Sequence, residues 1–146
     1  KNGRDVFGGG GITPDIYVSN KNDFLDQTQV LLTHPSRLLF KYANEMKDEF
    51  EKYNKSFKKF KSQILKNKGS NISINDFINW INNQDQSLDI TIESFKGDWD
   101  YLENRILADI ASSIWGKDYY YNILLNEDRQ FLTSLEHVQE AKALVY

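Results

Sequence analysis

Leu39, Tyr42, Met46, Phe50, Tyr53, Phe57, Phe60 and Ile64 follow one another at intervals of three and four residues. An α-helix turns once in 3.6 residues, so this spacing lines them up on one face, whereas a half-buried strand would alternate every second residue. Lys47, Glu49, Lys55, Lys58, Lys59 and Lys61 fall on the opposite face. The pattern predicts a long amphipathic helix. Its start is set by Thr33-His34-Pro35-Ser36, with Pro35 at the first helical position, and it ends at Lys68-Gly69-Ser70-Asn71. The segment Phe50, Tyr53, Phe57 and Phe60 comes close to a heptad seam but spans too few heptads for a coiled coil. These four rings are the candidates for a stripe that faces a partner.

The same reading extends to the rest of the chain. Residues 23–32 carry Phe24, Leu25, Val30, Leu31 and Leu32 and suit a short first helix. Ser73 followed by Asp76 reads as a capping-box start, with Ile74, Phe77, Ile78 and Ile81 forming a stripe around Trp80. A helix over 91–115 would bury Phe95, Trp99, Leu102, Ile106, Ile110 and Ile114. Gly97 weakens its first turn by roughly 1 kcal/mol relative to alanine, and Gly116 stops it. Residues 119–125 read as a short helix. Residues 127–146 read as a final one, with Phe131, Leu132, Leu135, Val138 and Val145 turned inward. The expectation is a mainly α fold of four to six helices, a bundle-like domain over 23–146.

The first 22 residues differ. Gly8 to Gly11 are consecutive glycines, followed by Ile12, Pro14, Asp15 and the β-prone run Ile16-Tyr17-Val18. Glycines permit positive φ and close backbone approach, and Pro14 pushes Thr13 toward extended geometry. The segment reads as a short β-hairpin, which two strands cannot sustain alone. Gly3, Arg4, Gly11, Ile12, Pro14 and Asp15 match a motif, Gly-Arg then G-I-x-P-D ahead of hydrophobic strand residues. The string resembles the close of the catalytic domain in C-terminal processing (tail-specific) serine peptidases. A second stretch is similar to the helical extension of bacterial members of that family: Leu107-Ala108-Asp109-Ile110-Ala111, Ile114-Trp115-Gly116, a tyrosine run and Asp128-Arg129-Gln130-Phe131.

The resemblance implies that residues 1–22 are the terminal strands of a protease core. It implies a parent that cleaves polypeptides near their C-termini, with the serine nucleophile and lysine base upstream of Lys1. On that reading the chain is a non-catalytic C-terminal portion, and its partners are the rest of the parent peptidase and, through it, polypeptide substrates. Self-association is a further expectation, and the parent would belong to the cell envelope or periplasm. Within the motif, Arg4 and Asp15 are the pair expected to brace the strand behind the active site.

The alternative is a helical interaction or assembly domain with no peptidase parent, in which the aromatic stripe meets its partner. Other chemistries find little support. Cysteine is absent, which excludes disulfides and thiolate sites. The two histidines, His34 and His137, lack metal-ligand spacing. Ser36, Ser56, Ser62, Ser112 and Ser113 sit within predicted helices and read as caps or solvent-facing residues. The glycine run lacks the Lys-Ser/Thr of a Walker loop and is followed by a strand pattern rather than the helix of a dinucleotide loop. A net charge of −3 does not favour nucleic acid. No cofactor is expected. The lysine-rich stretch 55–68 reads as a solvated face in preference to a membrane or acidic-partner surface.

Overall fold

The computed structural model describes residues 14–19 and 23–145. They divide into two compact units, one of residues 23–128 and a smaller one joining 14–19 to 129–145. Among the described residues every regular element is helical and none is a strand.

The larger unit holds α1 (Asp26–Thr33), α2 (Leu38–Phe50), α3 (Phe57–Lys66), α4 (Ile74–Gln84), α5 (Trp99–Trp115) and α6 (Lys117–Leu124). Helix α5 is its axis and packs most extensively on α6 and α2. It is buried on nearly every side: Leu102, Ile106, Ala108, Ile110 and Ala111 are fully enclosed. The two alanines let neighbouring backbones approach, and the branched residues fill the space between them.

The long helix expected over 35–67 is two helices. The 3-4 spacing runs unbroken through the gap, so periodicity alone cannot show the break. The chain tightens into a 3-10 turn at Glu51–Tyr53, and Ser56 then caps α3, its Oγ accepting from the Lys59 N–H at 3.3 Å. Asn54 and Ser56 compete locally for backbone hydrogen bonds, which is why such residues end helices. The Trp115 indole N–H donates to the Asn54 carbonyl at 2.9 Å, satisfying an acceptor that the break leaves open. Three other boundaries also move. Helix α2 starts at Leu38 rather than Pro35 because 34–37 form a turn, in which the Arg37 N–H donates to the His34 carbonyl at 2.9 Å. Helix α4 runs past its apolar stripe, through the polar residues Asn82 and Asn83, to Gln84. Asn82 turns outward from it and brackets Ile90, donating to its carbonyl at 2.8 Å and accepting from its N–H at 2.9 Å. Residues 91–98 are turns, so α5 begins at Trp99 and Gly97 precedes it. Gly116, at φ +105°, ends α5 in a conformation closed to other residues.

A buried carboxylate fixes the loop after α3. Glu103, on α5 and 2% exposed, accepts from the backbone N–H groups of Gly69 (2.7 Å), Asn71 (2.7 Å) and Ile72 (2.9 Å). Gly69 adopts φ +74°, and a Cβ there would lie 2.7 Å from Asp100 Oδ1. Asn71 returns two bonds from its amide to the Ile64 and Asn67 carbonyls at the end of α3, both at 3.0 Å. The turn is thereby satisfied at both ends, as buried backbone requires.

The smaller unit contains α7 (Arg129–Glu136) and α8 (Val138–Val145). The single final helix expected here breaks at His137, whose Nδ1 lies 2.8 Å from Glu140 Oε2. Residues 16–18 are not a strand: the Val18 carbonyl accepts from the Gln130 side-chain amide at 3.1 Å instead of entering a ladder. The rest of the expected hairpin lies outside the described residues.

Candidate functional site

Of the six motif residues, Gly3, Arg4, Gly11 and Ile12 lie outside the described residues, so the expected Arg4–Asp15 brace does too. Pro14 and Asp15 are described, and both are exposed. With Ile16, Tyr17 and Val18 they form one wall of an open groove of about 490 Å³, whose other wall is Gln130, Thr133, Ser134 and His137 of α7 and its end. The groove belongs wholly to the smaller unit.

That unit keeps its apolar side chains at the surface. Ile16 is 46% exposed and Tyr17 84%. On α7 and at the start of α8, residues expected to turn inward do not: Leu132 is 42% exposed, Leu135 53%, and Phe131 and Val138 slightly less than Leu132. The period is not misread: Phe131, Leu132 and Leu135 do share one face of α7, yet none of the three is buried.

The four aromatic residues of the stripe lie in the larger unit and pack on one another. Phe60 is fully buried, and its ring centroid is 5.9 Å from that of Phe50 and 6.2 Å from those of Tyr53 and Phe57. Phe57 also meets Trp115 and Tyr119 edge-on. Aromatic pairs favour such tilted arrangements. Phe60 has no surface left for another molecule. The lysine face of α3 is solvated, with Lys61 reaching Asn122 Oδ1 at 2.7 Å.

The histidines are placed structurally. His34 Nδ1 accepts from the Ser36 N–H at 3.2 Å, which leaves the ring proton on Nε2, 3.4 Å from Asp85 Oδ2. This pins the turn between α1 and α2. Among the described residues no cluster of three or more metal-ligating side chains occurs, and no helix is long and apolar enough to cross a membrane.

A cleft of about 400 Å³ opens among the α1–α2 turn, α5 and α6 of the larger unit. Arg37, Arg105 and Lys117 reach it from three separate elements, together with His34 and Asp109. Their sequence separation hides the cluster, and no motif announces it. Burial pushes the Asp109 carboxyl above the usual aspartate range, against the opposing pull of Arg105 and Arg37. Burial likewise raises the Tyr120 hydroxyl. Comparison with protein-family models, with curated proteins and with solved structures finds no match.

Proposed function

We propose that this chain is the non-catalytic C-terminal portion of a serine-type C-terminal processing peptidase, whose serine–lysine pair lies upstream of Lys1. The observation that carries the reading is the uncovered apolar surface of the smaller unit. Ile16 and Tyr17 directly follow Pro14-Asp15, the last residues of the motif that resembles the end of a protease core. Their side chains stay at the surface, as do those of Leu132, Leu135 and Val138. Exposed apolar side chains, where they gather, suit a contact to another body. The occupant proposed here is the parent's own protease core, because the chain itself would run from that core into residues 14–18. The larger unit then supplies a rigid helical body that positions substrate, gates access or supports assembly. Acyl transfer and oxyanion stabilisation belong to the upstream core, and the envelope location belongs to the parent.

The coding sequence immediately upstream of Lys1 tests this directly. It should encode a serine in a small-residue segment ahead of a helix, with a lysine some two dozen residues later. A serine-reactive fluorophosphonate probe should label the parent and leave this chain unlabelled. A gene without such a core, or labelling of this chain itself, overturns the reading. In the first case, concentration-dependent association of the chain would point to a self-assembling helical module instead.

A further inference from the structure

We propose that the cleft between the α1–α2 turn, α5 and α6 is a binding site for a small organic anion, a carboxylate or phosphate head on an apolar body. The inference stands apart from the peptidase reading and concerns the larger unit alone.

Charge is the first argument. The chain carries a net charge of −3, yet this cleft gathers Arg37, Arg105 and Lys117 around one carboxylate, Asp109. Among the described residues, none of the three cations lies within ion-pairing distance of an acidic side chain. Each is instead held over an aromatic ring: Arg37 over Phe40 at 4.5 Å, Arg105 over Tyr120 at 5.3 Å, and Lys117 over Tyr121 at 6.0 Å. Cation–π seating orients a cation and leaves its N–H donors available. Lys68 shows the contrast within the same unit. Its ammonium is taken up by Glu127 at 2.8 Å and Asp100 at 3.6 Å.

Backbone geometry is the second argument. Arg37 sits at φ 51°, ψ 53°, the left-handed region that disfavours every residue with a Cβ. Glycine or asparagine would hold that turn with less strain. The turn is over-determined by the His34 bonds to Ser36 and Asp85, and strained residues held this way gather at binding sites.

Shape is the third. The volume, about 400 Å³, suits a small ligand. Leu31, Leu32, Leu39 and the Phe40 ring provide an apolar wall for its body. Ser112 adds a hydroxyl. Two guanidinium forks favour planar or tetrahedral oxyanions over a simple halide. Among the described residues, Asp109 is the one carboxylate in the lining; burial raises its pKa, and when protonated it can donate a hydrogen bond to the head.

The test is titration calorimetry on the full chain with phenyl phosphate, phenylacetate, inorganic phosphate and benzyl alcohol, at low and high salt. One of the two aryl anions should bind more tightly than inorganic phosphate, and benzyl alcohol should not bind. The tighter of the two aryl anions identifies the head group. Arg105→Gln and Lys117→Gln should each weaken that binding, roughly tenfold for the arginine, while Lys61→Gln should leave it unchanged. Arg37→Gly separates binding from folding: it should weaken the aryl anion yet raise the melting temperature, because the left-handed backbone is relieved. Equal binding of benzyl alcohol, absence of binding by both aryl anions, or undiminished affinity in folded Arg37→Gly and Arg105→Gln overturns the proposal.

Discussion

Residues 23–128 and the smaller unit use similar helices to opposite ends. In the larger unit the main stripes find partners within the chain: Phe60 and Phe77 are fully buried, and Ile106 and Ile110 are enclosed on α5. In the smaller unit α7 has an equally clear apolar face and buries none of its residues. Amphipathic spacing therefore shows which face of a helix is apolar, and not what covers it. Burial needs a second surface of matching area, and two eight-residue helices with a short extended segment do not supply one.

The contrast is broken most sharply by truncating one residue on each side. Phe60→Ala should cost about 3–5 kcal/mol, because it removes a large enclosed ring and leaves a cavity among Phe50, Tyr53 and Phe57. Leu135→Ala, at a position 53% exposed, should change stability by no more than about 0.5 kcal/mol. Urea denaturation of both variants decides the matter. A large loss at Leu135 would mean that the chain covers this face itself, and the docking argument would fall with it.

Next in size is Glu103→Gln. Both carboxylate oxygens of Glu103 receive N–H donors, and an amide nitrogen in place of one oxygen would face them donor to donor. The expected loss is roughly 2–3 kcal/mol. Hydrogen exchange gives a local readout: the amides of Gly69, Asn71 and Ile72 should lose protection before those of α3 do. Uniform loss across the unit would show that the carboxylate holds the core in general and not this loop.

Legibility in the sequence follows the range of the interaction. The stripe over 39–64, the Ser73 start and the stop at Gly116 depend on neighbours within a turn or two, and all three were readable. Ser73 Oγ does accept from the Asp76 N–H, at 3.2 Å. The break at Asn54–Ser56 was hidden because the apolar spacing continues across it. Glu103 was hidden for the opposite reason: it looks like one more solvent-facing acid on a helix, and only the fold brings the 69–72 loop onto it from more than 30 residues away. The cleft cations, at 37, 105 and 117, share no local pattern at all. The strand expected at 16–18 was a fair reading of propensity, but a strand needs a ladder, and the described residues provide none.

A smaller effect tests whether the larger unit is packed as completely as its apolar residues suggest. Thr28 is fully buried, and its hydroxyl has no hydrogen-bond partner among the described residues. Thr28→Val replaces that hydroxyl with a methyl group of similar shape. Stability should rise by about 1 kcal/mol, since a buried donor without a partner carries a desolvation penalty. The midpoint of urea denaturation measures it. A loss would reveal a bond from Thr28 that the static structure does not display.

The subtlest prediction sets two carboxylates of the larger unit against each other. The Asp85 carboxyl is held below the usual aspartate range by the Ser87 hydroxyl and N–H, with His34 adding to them. A depressed folded value means that its contribution is complete above the ordinary aspartate pKa of about 4 and is lost as pH falls through the lower folded value. Asp109 has the reverse sign. Burial raises it, so between the ordinary value and the raised one the folded chain binds more protons than the unfolded chain, and stability increases as pH falls through that window. Acidification from neutral pH should thus first steady the unit through Asp109 and then weaken it through Asp85. In a pH series of urea midpoints, Asp109→Asn should erase the early gain and Asp85→Asn should flatten the later loss. If both variants kept the full pH profile of the parent chain, neither carboxylate would sense its surroundings as the hydrogen bonds at Asp85 and the burial at Asp109 require.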